Sequence, residues 1–401
     1  MSEHNFSYIT ILLITFEAAS GAGCAALDRP PDAAIEDSRA SPGPRSWHLP
    51  RCAAVAGAPV TFTPDDGATL APLEQDPTGT TYTTSVIALE APNILLAAND
   101  SDLFRSVDSG CTWSFVGHVQ GDFIELVPGV ADRAYGWSPH RSDLFVVAAS
   151  GITYLAGPGA DVRGLAAQRG QASRLRLMDD KGEVFGSDDE GKTWGRIGAL
   201  PMVAEGTLMQ AAFGGPALDR VMVAMLGGAY ASADGGRQWE QAEGLSSSSA
   251  NIFSVAVSPV DDRIVWAEGI DLGEKGDLEG RHLYISRDGG GQFEIVLTAS
   301  ADITLPNGVP MLPHPVDPEI LYYTWGTGFQ GIGTKLYRVN ARDRSATFTK
   351  NRYHRIQSLT ASPADASLLY LALSNEQIDL AGAPAATPAF RHPAANGERR
   401  R

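Results

Sequence analysis

The sequence of 401 residues has few cysteines, no dense run of positive charge outside its last residues, and no apolar stretch long enough to cross a bilayer. Each shortage excludes a class of function. Three cysteines and eight scattered histidines give neither a disulfide-dense small scaffold nor the HExxH or Cys/His spacing of a zinc site. With 31 Lys and Arg against 47 Asp and Glu, the net charge is −16, and the only basic run is Arg399, Arg400 and Arg401. Nucleic acid binding needs a basic stripe that displaces counterions, so no nucleic-acid partner is expected. GxxxxGK[ST], a strand-borne GxGxxG and GxSxG are all missing, which leaves no nucleotide cradle and no nucleophile elbow.

What the chain does have is 43 glycines and 25 prolines spread along its length, as many short strands and turns require. Near its start, an apolar run (9–16) is followed by GAGC (21–24), which resembles a bacterial lipoprotein box. That resemblance implies export, lipidation of Cys24, and a periplasmic, outer-membrane or secreted location, with the membrane met only through the lipid. Cys52 and Cys111 then remain as one pair, expected to form a disulfide in an oxidising compartment. Residues 1–24 read as the signal segment. Residues 25–54, rich in Pro, Ala, Asp and Ser, read as a flexible tether, and residues 381–401 as a disordered tail. The folded region is expected over 55–380.

Inside that region a short pattern recurs: SVDSGCTW (106–113), SDDEGKTW (187–194), SADGGRQW (232–239) and SRDGGGQF (286–293). Each copy follows a short apolar strand, so each reads as a tight strand-to-strand corner. Ser106, Ser187, Ser232 and Ser286 open the corners, and Asp108, Asp189, Asp234 and Asp288 can accept backbone N–H bonds in the manner of an Asx-turn. Gly110, Gly191, Gly236 and Gly290 suit positive φ, while Trp113, Trp194, Trp239 and Phe293 supply apolar plugs between sheets. Turn chemistry accounts for these aspartates without any catalytic role.

A second repeat pairs two apolar strands around a turn, usually one with proline. Examples are FSVAVSPVDDRIVWAEG (253–269), MLPHPVDPEILYYTW (311–325) and RAYGWSPHRSDLFVVAA (133–149), and seven such hairpins are found. Combined with the corners they give units of four strands, and the expected fold is all-β: a single seven-bladed β-propeller of four-stranded antiparallel blades. In the second unit ITYLA (152–156) reads as the third strand. The last unit lacks a fourth strand, for which APVTFT (58–63) is the natural donor, covering an open sheet edge.

The corner pattern resembles the BNR or Asp-box repeat of bacterial sialidases, sortilin-type receptors, xyloglucan-active glycosidases and photosystem II assembly factors. The resemblance covers about 55–380 and implies the fold more than any activity. A sialidase would carry Arg-Ile-Pro or Arg-Leu-Pro before Ser106; the nearest sequence, HLPR (48–51), has the wrong order. No catalytic residue and no metal ligand is nominated. The expected function is a non-catalytic, exported module, monomeric, that binds a protein or glycan. The alternative is a sialidase-like glycoside hydrolase with its site in the central pocket.

Strand alternation puts the connections between second and third strands on the face opposite the corners, where propellers commonly bind ligands. Candidate residues there are Asp179, Asp180, Asp271, Asp277, Trp325 and Phe329. Aromatic platforms suit sugars and carboxylates suit cations, so calcium is the one ion the loops would favour; no cofactor is otherwise expected.

Overall fold

In the computed structural model, residues 46–375 are described, apart from 78–79, 140, 171–173, 202, 205, 246–249, 275–279, 306–307, 309, 327–333 and 354. Cys24, Asp277, Phe329, the signal segment and the 381–401 tail therefore lie outside the described residues. The strands run in chain order as β1 (Val60–Thr63), then β2 to β5 (Thr81–Ala88, Leu95–Asn99, Asp102–Ser106, Ser114–His118). Next come β6 to β9 (Glu125–Pro128, Ala134–Trp137, Leu144–Ala148, Gly151–Leu155) and β10 to β13 (Val162–Ala167, Leu175–Asp179, Glu183–Ser187, Gly195–Ala199). They are followed by β14 to β17 (Leu208–Gly214, Arg220–Met225, Gly228–Ser232, Glu240–Gln241) and β18 to β21 (Ala250–Val257, Val265–Asp271, Arg281–Ser286, Phe293–Thr298). The last are β22 to β25 (Met311–Pro313, Ile320–Gly326, Thr334–Asn340, Ser345–Asn351), β26 (Arg355–Ser362) and β27 (Asp365–Asn375).

The molecule is an all-β propeller with four-stranded antiparallel blades, but the expected number of such blades is corrected. Among the described residues five sheets are discrete and four-stranded, not seven: β6–β9, β10–β13, β14–β17, β18–β21 and β22–β25. The remaining strands join in one seven-stranded sheet of order β1-β27-β2-β3-β4-β5, with β26 also on β27. Two cross-strand pairs, Thr81↔Asn375 and Tyr82↔Ser374, cause the merger, because β27 is long enough to reach β2. The first strands of successive groups lie side by side, from β2 against β6 through to β22 against β26, and β26 returns to β2.

Two local expectations also shift. RAYGW is the second strand of its sheet rather than the first, because Glu125–Pro128 precedes it and pairs with it. The turn between them bends at Ala131 (φ 59°), so ITYL becomes the fourth strand. The N-terminal donor does pair with the last strand, Val60↔Ala372 to Thr63↔Leu369, but it takes the third place beside β27. The chain then returns, with the Ala71 N–H donating to the Phe62 carbonyl at 2.9 Å.

The apolar face of each sheet is buried against its neighbour. Trp266, Leu283 and Ile285 pack against Leu321, Tyr323 and Tyr337 of the next sheet, and the other inter-sheet clusters are built likewise. β-Branched and aromatic residues dominate these strands because they fill a pleated surface. The expected tether to residue 54 ends sooner than anticipated. Trp47 and Cys52 pack beside Trp113, the His48 N–H donates to Asn93 Oδ1 at 2.7 Å, and Cys52 is disulfide-bonded to Cys111 with a Cα–Cα distance of 5.7 Å.

Candidate functional site

The aspartate corners lie between third and fourth strands, and their hydrogen bonds repeat from copy to copy. At 106–113 the Ser106 hydroxyl donates to Asp108 Oδ1 at 2.8 Å and accepts the Gly110 N–H at 2.9 Å. Asp108 also receives the Thr112 N–H and hydroxyl, at 2.9 and 2.6 Å. The corner of Asp189 is the same, with the Thr193 N–H at 2.9 Å and hydroxyl at 2.6 Å. Its carboxyl is pulled down to about 2 by the Thr193 hydroxyl first, then by the Thr193 N–H and Ser187. Asp108, Asp234 and Asp288 are lowered as well: burial pushes each up, and local hydrogen bonds outweigh it. A carboxylate whose pKa is held down by its own turn is a weak base and stays charged, which suits it poorly to general acid or base work.

A fifth corner, TPDDGATL (63–70), escaped the sequence pattern. Thr63 stands for Ser and Leu70 for Trp, yet the Gly67 N–H donates to Thr63 Oγ1 at 2.7 Å and the Thr69 N–H to Asp65 Oδ1 at 2.7 Å. Several corners are fixed to the turn between the first two strands of a sheet. The Ser109 N–H donates to the Asn93 carbonyl, Gly235 to Asp219 and Gly289 to Arg263, at 3.1, 2.8 and 2.8 Å. In all five corners the aspartate bonds to the Ser or Thr that opens its own turn.

The candidate loop face is less of a site than the sequence implies. Asp179 is buried and caps its own hairpin, Oδ1 accepting the Lys181 and Glu183 N–H groups at 3.0 and 2.8 Å. Asp180 follows in the same hairpin, its N–H donating to the Asp161 carbonyl. Asp271 is buried too and receives the Gly273 N–H at 2.8 Å. Trp325 sits within β23, packed on the cluster around Trp266 and Tyr337. Asp179, Asp271 and Trp325 therefore belong to three different sheets. Among the described residues no group of three or more His, Cys, Asp or Glu is placed to hold a metal ion.

What the topology does bring together lies along the first strands. One cavity of about 890 Å³ is lined by β6, β10, β14 and β18 and opens past the turns that follow them. A second, of about 450 Å³, opens at the opposite ends, by Phe123, Pro139 and Pro310. The two share Glu125, Gln210 and Val255. Adjacent sheets are tied across the interior by side chains: the Leu126 N–H donates to Ser85 Oγ, Val255 to Gln210 Oε1 and Val86 to Ser358 Oγ, at 3.2, 3.0 and 3.2 Å. Where Gly164 stands instead, an added Cβ would lie 2.1 Å from the Ala211 carbonyl oxygen, so the backbones themselves touch.

Glu125 is the one carboxylate common to both cavities. Burial pushes it up to about 7, opposed by the nearby Arg163 guanidinium, although water in the cavity reaches it. Among the described residues the cavity on the loop face holds a single arginine, Arg355, and no carboxylate but Glu125. A glycosidase needs two carboxyl groups flanking the bond, and a sialidase-like site an arginine cluster for its acidic substrate. Neither is present among the described residues of that mouth. Sequence reasoning missed Glu125, Trp137 and Arg163, which come from three strands without a shared motif.

No protein-family model matches the chain. It is 36% identical over 349 residues to the dispase autolysis-inducing protein of Streptomyces mobaraensis, covering 85% of this chain and 93% of that one. Among solved structures it resembles the YCF48 protein of Cyanidioschyzon merolae (TM-score 0.54, 9% identity, 74% of this chain and 97% of that one). It also resembles YCF48 bound to D1 peptide (TM-score 0.51, 11% identity, 82% and 100%). An ancestral GH74 enzyme aligns with TM-score 0.52 and 14% identity over 79% of this chain, which spans 45% of that enzyme. At such identities these structures speak for the fold alone.

Proposed function

The chain belongs to the family of the Streptomyces mobaraensis dispase autolysis-inducing protein, and from that premise we propose that it is a non-catalytic binding protein whose partner is a protease that it drives to self-cleavage. The observation that carries this reading is the loop-face mouth, where the described residues supply one arginine and one carboxylate instead of the set a glycosidase would need. The corner aspartates are consumed by their own turns, so they add no second acid. We read the five corners as Asp-boxes of a propeller scaffold. The disulfide of Cys52 with Cys111 suits an exported protein, and Cys24 a lipid anchor.

The test uses the full chain and dispase. Intact dispase should disappear faster as this protein is added, in proportion to its amount, while this protein alone leaves a quenched peptide substrate and sialoside or glucan substrates uncut. Hydrolysis of any of these by the chain alone, or an unchanged dispase lifetime, overturns the reading.

A further inference from the structure

The loop-face mouth combines an apolar rim with an acidic flank. Among the described residues Phe123, Pro139, Met209, Phe253, Pro310 and Met311 surround the 450 Å³ cavity. Phe123 and Met209 keep 48% and 39% of their surface in solvent. Phe123 is held at φ 51°, a left-handed conformation that bulky side chains rarely adopt. Its ring meets that of Tyr82 with centroids 6.4 Å apart, and the Tyr82 carbonyl accepts the Asp100 N–H at 2.8 Å. The hairpin of Asp100 is tied to the segment before Phe123 as well, the Val119 N–H donating to the Ser101 carbonyl at 2.9 Å. Asp100, Asp102 and Asp122 are thereby set close enough to repel one another. His118 pairs with Asp102, and Arg141 is engaged by Asp143 and Gln120. Asp100 and Asp122 have no ion-pair partner among the described residues.

The last described strand ends on this flank. Asn375 pairs with Thr81, and Ser374 with both Tyr82 and Arg355, which lines the mouth. Beyond it, residues 381–401 hold four arginines, Arg391, Arg399, Arg400 and Arg401, against the single Glu398, in a chain of net charge −16. Their one phenylalanine, Phe390, stands immediately before Arg391.

We propose that segment 381–401 docks on the loop-face mouth of its own propeller, with Phe390 on the apolar rim beside Phe123 and Met209 and its arginines on Asp100 and Asp122. Three observations select this occupant. An apolar rim takes an apolar ring, which gains by leaving water. Inside the mouth Arg355 and Glu125 balance, so the unmatched charge is that of the flank, and it calls for cations. The chain supplies its basic run from a strand that ends beside Tyr82. The stretch from Asn375 to Phe390 can span up to roughly 50 Å, so reach is not limiting. The tether also keeps the segment at a high effective concentration, which lets a weak contact fill. A second copy fits less well, since two chains of net charge −16 repel each other.

This contact does not depend on the protease reading. In the full chain, Phe390 is replaced by the photoreactive p-benzoylphenylalanine, and cross-links formed on irradiation are mapped by mass spectrometry. They should concentrate on Phe123, Met209 and Met311, within one chain, with a yield that does not change on dilution. The double variant Asp100→Asn, Asp122→Lys should lower that yield by at least about threefold; Asn is chosen at Asp100 because it tolerates the φ of 51° there. Salt at about 1 M, where screening acts within about 3 Å, should do the same to the parent chain. Circular dichroism confirms that the double variant is folded; if it is not, the salt series decides. Cross-links scattered over the propeller, cross-links only between chains, or a yield indifferent to both charge and salt overturns the proposal.

Discussion

The Tyr370 hydroxyl donates to the Ser109 carbonyl at 2.9 Å, joining the last described strand to the aspartate corner at 106–113 across 261 residues of sequence. Tyr370 is fully buried and its ring lies where a Cβ on Gly110 would fall, at 2.7 Å from Cε1. Tyr370→Phe keeps the packing and strands the carbonyl, so stability should fall by about 1–3 kcal/mol in urea unfolding. A loss below a few tenths would show that the carbonyl finds water instead.

Two glycines make a matched pair. Gly164→Ala drives a methyl into the Ala211 carbonyl at 2.1 Å, whereas at Gly195 the nearest atom is 4.0 Å away. The first should cost roughly 1–3 kcal/mol through forced separation of two sheets, and the second close to nothing. Thermal unfolding of the two variants checks the contrast.

Asp189 is held at about 2, and Asp65, Asp108, Asp234 and Asp288 are also lowered. A carboxyl whose folded pKa is depressed contributes stability that is present above its unfolded pKa, about 4, and is lost as pH falls toward the folded value. The protein should therefore weaken steeply between about pH 4 and pH 2. Thr193→Val, which removes the strongest bond to Asp189, should make that acid limb shallower. An unchanged limb would place the acid sensitivity elsewhere.

Glu268 has the opposite sign. It is fully buried, one oxygen accepting the Gly308 N–H at 3.2 Å and the other without a partner among the described residues, and burial raises it to about 8. The native state keeps this proton after the unfolded chain has released it, so stability declines as pH rises from about 4 to about 8. Glu268→Gln should remove the decline and be more stable than the parent at pH 8, as read by melting temperature across pH.

Reducing Cys52–Cys111 opens a loop of sequence separation 59. By chain entropy that should cost about 4 kcal/mol. The double variant Cys52→Ser, Cys111→Ser should melt lower by the same amount as the reduced parent; a melting point equal to the oxidised parent would refute that expectation.

The features of the fold legible in sequence were those carried by local chemistry. Ser, Asp and Gly at fixed spacing specify a corner wherever they occur, so four of the corners were plain. The fifth was hidden only by identity, since the Thr63 hydroxyl serves as Ser does and Leu70 fills less space than Trp. Pro139 misled the second hairpin, because a proline marks a turn without saying which turn. The merged sheet was illegible for another reason: Thr81↔Asn375 depends on how far β27 extends, which no local pattern encodes. The loop residues Asp179 and Asp271 looked like a rim because their acidity was visible and their burial was not. Glu125, Trp137 and Arg163 are ordinary residues in sequence, gathered only when strands from two sheets converge.

The pairing of β1 with β27 means that the first of the described strands to leave the ribosome has no partner strand until the last of them is made. During synthesis Val60–Thr63 must wait with an open edge while the other sheets assemble in order. Shutting the circle therefore waits for β27, and a chain stopped short of Asp365 would carry an unsealed seam at which its neighbours could pair.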